Sequence, residues 1–89
     1  MSAKPEEPGL DEDLVITFRK AIDGVAGPIA SIVIREPTAG EMMQWDRLSG
    51  VEADVKAISV VAGIPPVDVE KLAARDFIRA SRRIAAFLD

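Results

Sequence analysis

Eighty-nine residues suffice for one small domain, and neither a cysteine nor a histidine is among them. Those absences exclude a disulfide framework, a thiolate nucleophile, a sulfur-ligated zinc site and the usual general base near neutral pH. Acids outnumber bases by 15 to 11, and 48% of the chain is apolar, so a buried core and an acidic surface are both expected.

The charge is unevenly spread. Residues 1–13 carry Glu6, Glu7, Asp11, Glu12 and Asp13 but only Met1, Ala3 and Leu10 from the apolar set, too little to offset the entropy of ordering. This segment reads as a disordered acidic leader, and with no apolar h-region it does not read as a secretory signal. Residues 14–89 read as a single α+β domain holding 40 apolar residues in 76, a high share for a globular domain. Part of that surface is expected to face a partner. The longest uncharged runs, 24–34 and 57–67, are eleven residues each, against roughly 20 for a membrane span, so no membrane association is expected.

From Leu14 the pattern alternates, with Leu14, Ile16 and Phe18 on one side and Val15, Thr17 and Arg19 on the other, which predicts a half-buried strand over 14–22. Asp23-Gly24 and Gly27-Pro28 mark a turn, and the β-branched run 29–35 predicts a second strand with Ala30, Ile32 and Ile34 on one face. Together they form an antiparallel hairpin, which must pack on a helix or pair with another chain. Pro37 ends it. Thr38 and Glu41 form an S/T-x-x-E capping box, opening a helix over 39–48 that presents Met42, Trp45 and Leu48. A second helix over 51–62 has the stripe Val51, Val55, Ile58 and Ala62, closed by Gly63 and Pro65-Pro66. A short third helix over 67–74 turns Val69, Leu72 and Ala73 inward. Asp76 then caps a last helix with Phe77, Ala80, Ser81, Ile84, Phe87 and Leu88 inside and Arg75, Arg79, Arg82 and Arg83 opposite. The fold class is α+β, an N-terminal antiparallel hairpin followed by three to four short helices.

Catalysis finds no support in the residues. A serine nucleophile would need a lysine base here, and Lys4, Lys20, Lys56 and Lys71 all fall in polar contexts. The acid pairs Asp11–Asp13 and Glu52–Asp54 read as solubilising charge, and no calcium loop, G-x-G-x-x-G or P-loop pattern occurs. No enzyme, metal or cofactor is expected. Residues 59–72 imitate a helix-turn-helix, the alternative being a small DNA-binding regulator, but its reading helix would present Asp68 and Glu70 to phosphates with only Lys71 in return. Nucleic-acid binding is therefore not expected. An interaction module such as an antitoxin is a further alternative. The arginine face reads as a solvated side, with nucleic acid, an acidic partner or the acidic leader as other occupants. Met42 and Met43 are adjacent and cannot both point inward, so one is expected on the surface beside Trp45, where methionine suits an adaptable partner interface.

Arg35-Glu36-Pro37-Thr38-Ala39-Gly40, followed by Gly63-Ile64-Pro65-Pro66, Val69, Leu72, Asp76-Phe77 and Phe87-Leu88, resembles the small tail assembly chaperones of long-tailed bacteriophages and prophages. The likeness runs from about Val15 to Leu88 and makes Arg35, Pro37, Thr38, Ala39 and Gly40 a structural family motif. It implies a non-enzymatic factor of the bacterial host cytoplasm, absent from the mature particle, that keeps the tape measure protein soluble and helps recruit tail tube protein. Some members are accompanied by a longer frameshifted product. A helical client needs a groove for repeating apolar anchors. The expected lining, between the first, second and last helices, is Met42, Met43, Trp45, Val61, Ile64 and Phe87.

Overall fold

The alternation starting at Leu14 becomes an 11-residue strand, β1 (Leu14–Gly24), in a computed structural model that describes residues 12–88. The acidic leader expected over 1–13 lies outside the described residues except for Glu12 and Asp13. Leu14, Ile16 and Phe18 are buried and their neighbours exposed, as period two requires. β2 (Gly27–Ile34) runs antiparallel to β1, pairing Leu14 with Ile34 and Thr17 with Ser31. Beyond Thr17 the register slips. Ile22 pairs with Ile29, so Phe18, Arg19, Lys20 and Ala21 stand opposite Ala30 alone. This bulge lets β1 bend over the helices while Phe18 stays inside.

Both strands run further toward the turn than expected, meeting at Gly24 and Gly27 around Val25 and Ala26. Two glycines make this tight tip possible. Gly27 takes a φ of 126°, and a Cβ on Gly24 would lie 2.8 Å from the Gly27 carbonyl oxygen.

The first helix, α1 (Ala39–Met42), is a single turn rather than the expected ten residues. Gln44, Trp45 and Leu48 donate their N–H groups to the carbonyls of Glu41, Met42 and Trp45, three residues back. The chain has tightened into 3₁₀-type turns, and a spacing of three still keeps Met42, Trp45 and Leu48 on the core side. α2 (Gly50–Ala62) packs on β2 and touches every other helix. Its buried face is Ala57, Ile58, Ser59 and Val61, while Val51, expected at the head of the stripe, is 67% exposed. A helix surrounded on several sides buries a wider arc than one amphipathic stripe, and its first turn projects past the packing. Gly63 ends α2 with a left-handed φ of 75°, and the Ser59 hydroxyl donates to the Ile64 carbonyl at 2.6 Å.

α3 (Pro66–Val69) begins with proline where no N–H is needed and buries Val69 and Leu72, whereas Ala73 is exposed instead of inward. α4 (Ala74–Phe87) starts earlier than expected, with Ala73 at the cap position. Asp76 makes no cap and sits in the first turn, where the helix dipole favours an acid. Ala80 and Ile84 lie in the core, and Leu88, expected inside, is exposed. The hairpin packs one face on α2, α3 and α4, and Val15 and Val33 stand exposed on the other.

Asp68 departs most from its expected place. It is 1% exposed, not offered to solvent, and both carboxylate oxygens accept from the Val25 N–H at 3.2–3.3 Å. Lys71 donates to Asp68 Oδ1 at 3.2 Å and to the Asp23 carbonyl. The acid that would have faced phosphates instead clasps the hairpin tip to α3. Truncating it in Asp68→Ala leaves a part-buried N–H without its acceptor and should cost about 1–3 kcal/mol in urea unfolding. Ile58→Ala should cost about 2–5 kcal/mol by cavity formation, whereas Val51→Ser should stay within about 0.5 kcal/mol. Equal losses for Ile58 and Val51 would contradict the observed orientation of α2.

Candidate interaction surface

The corner between hairpin and helices is built from one arginine. Arg35 leaves β2 and donates through Nη1 to Glu41 Oε1 at 2.8 Å and through Nη2 to Glu41 Oε2 at 2.7 Å, with the Val60 carbonyl of α2 at 3.5 Å. Glu41 Oε1 also accepts from the Thr38 N–H at 2.9 Å, and the Glu41 N–H donates to Thr38 Oγ1 at 3.1 Å. The expected capping box is present and the guanidinium fork is fastened to it. Hydrogen bonding to Arg35, then to the Thr38 backbone, holds the Glu41 carboxyl down to about 2. The Glu41 hydrogen bond in turn raises Arg35 above its ordinary value, against the opposing effect of burial, with further help from the charges of Glu41 and Asp13.

This gives three of the five motif residues a physical task. Arg35 ties, Thr38 caps, and Pro37 is buried at the strand end. Ala39 and Gly40 are exposed; Gly40 has no left-handed φ, a Cβ there would meet Thr38 Oγ1 only at 4.0 Å, and nothing in the structure explains its identity. Glu41, the partner that completes the joint, was legible only as half of the capping box.

The six candidate lining residues separate by depth. Trp45, 9% exposed, and Val61 belong to the core. Met42, Ile64 and Phe87 are half-buried against it, and Met43 stands 75% exposed just past α1. A small cleft of about 110 Å³ opens at Trp45, shared with Asp54, Ala57, Ser81, Ile84, Ala85 and Leu88. None of the other five candidates lines it.

The arginine face is not uniform either. Arg83 is buried, its Nη2 donating to the Glu12 carbonyl at 2.6 Å and its guanidinium lying 4.9 Å from the centre of the Phe87 ring. Arg75, Arg79 and Arg82 remain outside and line a groove of about 550 Å³ with Leu14, Ile78, Arg83 and Ala86. Ile78, 47% exposed, had no place on the expected inner stripe. A large apolar residue off the inner stripe, three after Arg75 and four before Arg82, is the signal that marks this groove in the sequence. Among the described residues no cluster of acids could hold a metal ion, and no helix is long and apolar enough to cross a membrane.

A family model described as phage tail assembly chaperone proteins, E, or 41 or 14, matches residues 16–89, which is nearly the whole chain. The chain belongs to this family. No curated protein and no solved structure matches it. The matched span starts inside β1 and takes in the Arg35 joint and all four helices described.

The joint makes a pH-dependent contribution of definite sign. A carboxyl whose folded value lies near 2, below the ordinary 4.5, favours folding fully above the ordinary value and loses that effect as pH falls. The melting temperature of Glu41→Gln should therefore fall furthest below wild type at neutral pH. The gap should close between about pH 5 and about pH 2. A gap that stays constant over that range would show that the Glu41 charge does not hold the corner.

Proposed function

We propose that this chaperone acts without catalysis in the bacterial host cytoplasm, binding the tape measure protein, keeping it soluble, and helping to recruit tail tube subunits before being left out of the particle. The family match carries the reading. The apolar surface at the end of α1 supports it: exposed Met43 follows half-buried Met42. Methionine adapts to irregular apolar partners, which suits a client offering many similar helical segments rather than one fixed epitope. Each copy needs only modest affinity, because many copies along one extended client gain by multivalency.

Trp45 enters this reading as support, not as contact. It fills the core beneath the α1 turns, and its loss would unfold the surface it carries. Met43 is the residue that reaches a client.

Met43→Ser should melt within about 0.5 kcal/mol of wild type, yet fail to keep co-expressed tape measure protein in the soluble fraction. Trp45→Ala should lose about 3–5 kcal/mol of stability instead. Full client solubility with Met43→Ser would move the client surface away from α1.

A further inference from the structure

Beside the stripe that packs into the core, α4 carries a second one. Arg75, Ile78, Arg79, Arg82 and Ala86 follow helical spacing over a rise of about 16 Å and line the groove together. Two further hollows share Arg75 with it and continue the surface toward β1, one lined by Thr17, Arg19, Asp76 and Arg79, the other reaching Lys20. Arg19, Arg75, Arg79 and Arg82 are exposed, and among the described residues they make no hydrogen bond or ion pair. Asp76 is the one acid among the described lining residues, and it forms an ion pair with none of these arginines. Its charge offsets part of the field at the β1 end. The stretch from Ile78 to Ala86 stays cationic, with an apolar strip beside the cations.

The complement of such a stretch is an apolar strip flanked by carboxylates. Arg79 and Arg82 lie one helical turn apart, a spacing that acids three or four positions apart on a second helix reproduce. We propose that the α4 groove docks an acidic amphipathic helix of a partner protein, with its apolar anchor on Ile78 and Ala86 and its carboxylates on Arg79 and Arg82. The dock runs away from Asp76, which repels carboxylates at the β1 end. Nucleic acid is the poorer occupant. Ile78 and Ala86 offer nothing to phosphates, and residues 12–88 hold eleven acids against ten bases, so the field beyond the groove opposes a long polyanion. A helix of about three turns confines its charges to the cationic stretch. The groove lies on a different element from Met43, so this contact and the client surface at α1 can be broken one at a time.

The probe is a synthetic helical peptide of about fifteen residues, a span of about 22 Å, with leucines on one stripe and glutamates flanking them, titrated into the ¹⁵N-labelled full chain. Amide signals of Ile78, Arg79, Arg82 and Ala86 should shift and saturate, and raised salt should weaken the binding. Arg79→Gln and Arg82→Gln together should weaken it about fivefold, and Ile78→Ser alone should do the same. These side chains are exposed, so the melting temperature of each variant should stay at the wild-type value. Asp76→Asn removes the opposing charge and should tighten binding about twofold. Equal affinity for a peptide with glutamine in place of glutamate would overturn the proposal, as would equal affinity for a thymidine oligonucleotide of similar length, which makes the groove a nucleic-acid site. The absence of saturating shifts along α4 up to about 1 mM peptide would also overturn it. So would salt-sensitive self-association of the chain alone that the double arginine variant abolishes, since that gives the groove to a second copy.

Discussion

The two-pronged contact between Arg35 and Glu41 fixes the relation of the hairpin to everything after it. One guanidinium at the end of β2 meets a carboxylate in the first turn of α1, and the same carboxylate closes the capping box. The Val60 carbonyl brings α2 to the same arginine. A helix of one turn has almost no stability of its own, so α1 exists because its acid is held from two sides. Lysine would not replace Arg35, because a single ammonium cannot reproduce the paired geometry. From this corner the chain descends to Trp45, which carries the joint's position into the core.

A second clasp secures the opposite end of the hairpin. Asp68 beneath the Val25 turn and Lys71 beside it hold the tip to α3, so the sheet is pinned at both ends while its middle bulges. The apolar excess of the domain divides accordingly. One part lies between sheet and helices, and another stays outside at Val15, Val33, Met43 and Ile78. A small domain has too little interior to take it all.

Much of this was legible in the residues. Period-two alternation gave the buried face of β1, and the Thr38–Glu41 pair gave the start of α1, because both are local signals. The length of α1 was not legible, since Met42, Trp45 and Leu48 satisfy a 3₁₀ spacing as well as an α one. Arg83 and Asp68 were misplaced for a common reason. Pattern assigns charge to the surface, whereas a long guanidinium can lie over an aromatic ring and a short carboxylate can be spent on a distant backbone N–H. Partners separated by dozens of positions leave no periodic trace. Among the candidate client contacts, the adjacency of Met42 and Met43 correctly put one of them outside, but tryptophan beside methionine reads the same whether it lines a surface or supports one.

The bulge in β1 bears on how these molecules avoid one another. A two-stranded sheet leaves an outer edge on each strand, and a straight, flat edge is a template for joining neighbours into extended ladders. In β1 the pairing with β2 is interrupted at Phe18–Ala21, and Arg19 and Lys20 are exposed at the interruption. A further strand laid along β1 would meet two cations at the bulge, and both bulges and edge cations disfavour such pairing.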